Sequence, residues 1–295
     1  MRSDLKKYTP LVLLSLLILG IYFHQLVDLV YQWWDDPNYG HGFLIPVVSL
    51  YLFWQKRDRL QHIEQRRNFW GLAILISGLA LCILGTAAAE FFTVRFSFVL
   101  VLLGTIWFFY GTDFIKELWF PILFLIFMIP LPYVIYYALS FPLQLLSTKA
   151  AVAILQFTGL PALRQGNIIN LPHYSLEVVE ACSGLRSLMT LSALGAAMAY
   201  LTQKTLASGV LLFLLSLPIA VGANIFRILV TALGAVFISP KFAEGFLHEV
   251  SGLVVFVSGF IALGILGLVL NALAQWRWGK AASDLIISKT TSVEK

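Results

Sequence analysis

The chain has 295 residues, of which 59% are hydrophobic and only 12% charged, with a mean hydropathy of +0.86. A soluble domain carries about 25% charged residues, so the composition excludes a soluble fold and indicates an all-α polytopic membrane protein. The net charge of +5 is spread over short loops, which speaks for membrane orientation and against a nucleic-acid partner.

A helix that crosses a bilayer needs about 20 mainly apolar residues. In chain order such windows fall near 9–27, 41–55, 69–89, 95–111, 117–132, 184–202, 205–226 and 250–274, the second and fifth being short. The first follows Arg2, Lys6 and Lys7 and imitates a signal peptide. Its apolar run ends in Ile21-Tyr22-Phe23-His24 without a small-x-small site, so it reads as an uncleaved span. Cys82 lies mid-window and reads as a small buried hydrophobe. No hydrophilic block is long enough for a second domain. Residues 1–280 therefore read as one integral membrane domain and 281–295 as a cytoplasmic tail.

Basic clusters orient the spans. Arg2, Lys6 and Lys7, then Lys56, Arg57, Arg59, Arg66 and Arg67, then Lys204, and finally Arg277 and Lys280 fall on one side if there are about eight spans with both termini cytoplasmic. Residues 133–157 are apolar but interrupted by Pro142, Gln144, Ser147, Thr148 and Lys149, and crossing there would invert the later loops. This segment is expected to lie along the outer interface with a polar stripe towards water. Two β-prone runs around Pro172-His173-Tyr174 predict a hairpin, which must cap the outer face because exposed strand edges do not occur in lipid. Glu90, Arg95 and His173 are expected at the outer surface.

Arg227 is the only charged residue in 205–240, a stretch apolar enough for a bilayer. An arginine at bilayer centre costs about 2.5–3.5 kcal/mol on insertion scales, so it should sit near a border or perform a task. The assumed topology puts it at the outer end of the seventh span. Cys182 then lies at the outer start of the sixth and His248 just before the eighth, so the three share one membrane face. A nucleophilic cysteine must be a thiolate, favoured by a helix N-terminus and nearby cations. Ser183 and Gly184 open a helix and Arg186 follows on the same face. The donor fork of Arg227 suits a developing oxyanion, and His248 suits proton transfer. Each has a plainer reading: an inert cysteine, an arginine snorkelling to phosphates, an interfacial histidine. Asn224 reads as a packing residue able to orient Arg227, Glu180 as a partner for Arg186, and His41 as a candidate substrate-facing group. The composition calls for no metal and no cofactor.

The run Glu180-Ala181-Cys182-Ser183-Gly184-Leu185-Arg186, then Asn224-Ile225-Phe226-Arg227, then His248 resembles the exosortase/archaeosortase family of membrane transpeptidases. The likeness extends to Gly40-His41-Gly42-Phe43-Leu44-Ile45-Pro46 and Leu163-Arg164-Gln165-Gly166-Asn167. It implies Cys182 as nucleophile, Arg227 as transition-state stabiliser and His248 as acid/base. It also implies client proteins with a C-terminal signal of a Pro-Glu-Pro-type motif, a transmembrane helix and a basic end. Cleavage at the periplasmic face of a bacterial inner membrane would be followed by transfer to an amine, for which a lipid headgroup is a candidate. Arg164 or Lys149 is a candidate for receiving the motif's glutamate. The sequence leaves open the oligomeric state, a water-using cysteine protease, and a transporter or lipid-handling protein in which Arg227 binds an anionic headgroup.

Overall fold

The computed structural model describes residues 2–172, 174–178, 184–239, 252–253 and 255–275. They form two compact units, Met1–Tyr133 and Val134–Lys295. Among the described residues, six helices are long and apolar enough to cross a membrane: Val12–Asp35, Phe69–Ala87, Phe91–Tyr110, Tyr133–Phe157, Leu206–Phe237 and Val255–Gln275. Each of the eight apolar windows contains helix, although residues 129–132 of the fifth lie outside any, and the second, fifth and sixth yield helices that do not join this set.

The first unit contains α1 (Arg2–Asp35), a 3-10 turn (Gly40–Phe43), α2 (Leu44–Gln55), the short α3 (Arg57–Gln61), α4 (Phe69–Ala87), α5 (Phe91–Tyr110), α6 (Thr112–Phe124) and a second 3-10 turn (Leu125–Met128). Side-chain caps fix where the central pair begins. Asn68 accepts from the Trp70 amide at 2.8 Å, and the Glu90 carboxylate accepts from the Phe92 and Thr93 amides. Burial pushes the Glu90 carboxyl upward, but those hydrogen bonds, with Arg95 nearby, outweigh it and hold the group below its usual range.

Helices α4 and α5 run antiparallel in close contact. Gly71, Gly78 and Gly85 recur every seven residues on α4 and meet Phe108, Val101 and Val94, which recur at the same interval on α5. Small residues at such a seam let two backbones approach where lipid supplies no hydrophobic drive. A Cβ on Gly71 would land on the Phe108 backbone, which cannot swing aside as a side chain would. Gly71→Val is expected to destabilise the unit by about 1–3 kcal/mol through overpacking. Thermal unfolding in detergent measures it, with Gly20→Val, where a Cβ meets nothing within 4 Å, as the control.

Polar contacts tie the remaining helices to this pair. Tyr22 and Ser97 join α1 to α5 at 2.7 Å, and Ser49 donates to the Pro121 carbonyl at 2.7 Å, joining α2 to α6. Lys56 pairs with Glu117 at 2.9 Å, and the Arg66 amide donates to the Tyr110 carbonyl. The basic α2–α4 connection and the α5–α6 turn therefore share one end of the unit. Arg95, expected at the surface, is instead 7% exposed and donates to Gln32 Oε1 at 2.6 Å. One turn into a packed helix, its long stem carries the charge inward to a partner on α1.

The second unit contains α7 (Tyr133–Phe157), β1 (Leu163–Gln165), β2 (Ile168–Leu171), β3 (Tyr174–Glu177), α8 (Leu185–Thr202), α9 (Leu206–Phe237) and α10 (Val255–Gln275). Two sequence expectations need correction here. The polar stripe of α7 does not face water: Ser140, Gln144, Ser147 and Thr148 are buried. Their spacing of four, three and one puts them on one helical face, and that face packs against protein. Nor does the seventh span stop at 226. Helix α9 continues to Phe237 because Ile228 and Ala232 pack with Ile169, Leu171 and Leu176 of the sheet. At 1.5 Å per residue its 32 residues reach about 48 Å, well beyond a hydrocarbon core of about 30 Å.

The predicted hairpin is present as the antiparallel pair β2–β3, with Leu171 opposite Tyr174. It is extended by β1, whose Arg164 lies opposite Ile169. One sheet face packs on Ala151, Val152 and Leu155 of α7. At the other end of the unit, Gln203 donates to the Gly267 carbonyl and Asn271 to the Thr202 carbonyl, joining α10 to the α8–α9 turn. Gly259 of α10 meets Leu191 of α8. The start of α8, the far half of α9 and the start of α10 thus gather at the sheet end.

Candidate active site

The described core of the site is the packing of Gly184 on Asn224. Gly184 adopts φ +86°, ψ −4° immediately before α8, a left-handed conformation that suits glycine. A Cβ there would lie 2.8 Å from Cγ and Nδ2 of Asn224, so both backbone and space require glycine. Asn224 is fully buried, and its Nδ2 donates to Ser147 Oγ of α7 at 3.3 Å. One side chain therefore ties α9 to the polar stripe of α7 and to the segment entering α8.

Arg227 lies three residues beyond Asn224, on the same helical face, and is 6% exposed. It stands about 30 Å along α9 from Leu206 at 1.5 Å per residue, roughly one hydrocarbon thickness. An arginine at that height is at the far border of the bilayer if α9 crosses upright, with ten helical residues still to follow. Arg186 sits half-buried in the first turn of α8. Arg164 is exposed on β1, with Nη1 3.5 Å from the Gly166 carbonyl. His41 belongs to the first unit, half-buried on the 3-10 turn whose Gly42 is pressed against the Trp33 indole. Glu180, Cys182, Ser183 and His248 lie outside the described residues.

A family model for transmembrane exosortases matches residues 33–265, most of the chain and parts of both units. The chain belongs to the transmembrane exosortase family. No curated protein and no solved structure matches it. Membership makes it a multi-pass membrane enzyme of the sorting transpeptidase type, acting on proteins that carry a sorting signal. The matched stretch contains every site residue singled out from the sequence.

Ser147 was missed as part of this exosortase's candidate site. Its signal is the stripe Ser140, Gln144, Ser147 and Thr148, which becomes informative once its inward face is known. Gly184→Ala is expected to destabilise by about 1–2 kcal/mol from the left-handed backbone alone, with the Asn224 clash in addition. Adding Asn224→Ala should recover part of the clash, since the 2.8 Å contacts with Cγ and Nδ2 go while the 3.0 Å contact with Cβ stays, and none of the backbone part. A double-mutant cycle on thermal unfolding separates the two; simple additivity would disprove the contact.

Proposed function

We propose that this exosortase is a cysteine transpeptidase with Cys182 as nucleophile, Arg227 as oxyanion holder and His248 as proton carrier. The Cys182 thiolate attacks the peptide carbonyl next to the client's sorting motif and forms a C–S bond. Arg227 holds the oxyanion. As the C–N bond breaks, His248 gives the leaving amine its proton and the membrane-helix tail departs, leaving a thioester. An acceptor amine, deprotonated by His248, then attacks the thioester. A new amide forms and the thiolate is regenerated. Arg186 and the helix start at Gly184 favour the thiolate form.

One observation carries this reading: Gly184, two residues after Cys182, is pressed against Asn224, one turn before Arg227. The start of α8, which Cys182 precedes in the sequence, thus meets the α9 turn next to Arg227, and that supports assigning the two residues to one site. The gathering of the starts of α8 and α10 at the sheet end supports His248 as the third member. A sorting motif followed by a membrane helix with a basic end would reach an outer-face site when its tail stays cytoplasmic, which favours an inner-membrane enzyme with its site towards the periplasm.

The test is a peptide carrying the motif and helix, presented to the purified chain with hydroxylamine as amine donor. Mass spectrometry should find the upstream fragment as its hydroxamate. A free carboxylate alone, at every hydroxylamine concentration, would make the enzyme a hydrolase and overturn transfer.

A further inference from the structure

The first unit carries a groove of about 400 Å³ between α1, α2, α5 and α6, walled by Ser15, Phe53, Phe98, Thr105, Tyr110 and Phe114 among others. It runs along α5 from Phe98 to Tyr110, about 18 Å at 1.5 Å per residue. One leaflet of hydrocarbon is about 15 Å deep, half of a core of about 30 Å, so the groove has the length of one acyl tail. It is too small for a client's membrane helix, which is about 10–12 Å across with its side chains.

The polar features lie where a lipid would meet them. Thr105, only 5% exposed, contributes to the wall, and its buried Oγ1 meets no hydrogen-bond partner among the described residues. It stands one and a half turns below Tyr110. Above it is the basic end. Phe53 is followed by Lys56 and Arg57, Phe114 by Lys116, and the Tyr110 carbonyl accepts from the Arg66 amide. Residues 56–67 and 112–117 hold six bases (Lys56, Arg57, Arg59, Arg66, Arg67, Lys116) against four acids (Asp58, Glu64, Asp113, Glu117), an excess of two. Arg57 stacks over Trp54 at 4.3 Å, the aromatic and cationic pairing usual at headgroup level.

We propose that this groove binds one anionic glycerophospholipid, its tail between α1 and α5 and its phosphate against the basic end of the unit. The site lies in the leaflet that the basic residues face, and it does not depend on the thiol chemistry proposed above.

Native mass spectrometry of the full chain, delipidated and titrated with dioleoylphosphatidylglycerol or dioleoylphosphatidylcholine, tests it. One phosphatidylglycerol per chain should saturate first, about thirtyfold tighter than phosphatidylcholine for two surplus cations. Thr105→Phe should abolish that one-to-one species. Ser15→Phe does the same from the exposed α1 wall and serves if the buried variant misfolds. Arg57→Gln with Arg67→Gln should bring the two lipids to parity while the groove still takes a tail. Equal, non-saturating uptake of both lipids overturns the proposal. So does undiminished binding in a folded groove-filled variant, or displacement of the lipid by a synthetic transmembrane peptide that cross-links at position 105.

Discussion

Cys182→Ala is expected to stop release of the sorting-signal tail, with a loss of about 10⁴-fold or more, as for nucleophile deletion in hydrolases. The chain should still accumulate in the membrane at its usual level, because the substitution removes one small side chain. Cys182→Ser should also fall to background: a hydroxyl stays protonated where a thiol ionises, and the helix start and Arg186 favour an anion, not an alcohol. Cys82→Ala is the internal control. Cys82 packs against the core cluster of Ile18, Tyr22, Leu75, Val94 and Val101 in the first unit, so losing its thiol should leave processing unchanged. Immunoblotting of a client protein in cells carrying each variant measures all three. Continued processing by Cys182→Ala at normal expression would remove the covalent mechanism altogether.

How far the sequence discloses this molecule depends on what each signal encodes. Hydropathy reports transfer into lipid, so the apolar windows coincide with helices, and α8 begins one residue from where its window opens. Hydropathy says little about which helix faces which. From the sequence, Gln144, Ser147 and Thr148 read as facing water, whereas all three are buried and Ser147 accepts from Asn224 on α9. The stop at Arg227 failed for a related reason. A charge in an apolar run looks like a membrane border, but the helix continues past it because the sheet offers Ile228 and Ala232 a surface. Strand β1 escaped notice because its three residues are all exposed and show no alternation to read. At the site, that Asn224 and Arg227 share one helical face is legible from a spacing of three. The contact of Gly184 with Asn224 was not, since it joins positions 40 apart that no local pattern connects.

Arg227 offers the sharpest separation of mechanisms. If its guanidinium holds the oxyanion, the interaction exists in the transition state and not in the bound client. Arg227→Ala should then lower kcat by about 10²–10³-fold with KM nearly unchanged. Arg227→Lys should recover little, because an ammonium keeps the charge but lacks the planar fork that fits one oxygen from two nitrogens. Anionic headgroup binding predicts the reverse: lysine serves nearly as well as arginine, and the losses fall on KM or on lipid occupancy. Asn224→Ala supplies the comparison. It acts through position, by loosening the α9 turn from Gly184 and Ser147, so its loss should be smaller than that of Arg227→Ala. Single-turnover release of the tail reads the acylation step directly. Arg227→Lys should slow it as much as it slows turnover, since the oxyanion forms when the thioester is made and again when it is resolved. A lysine variant that acylates at the native rate would move Arg227 out of the reaction and back to the lipid border.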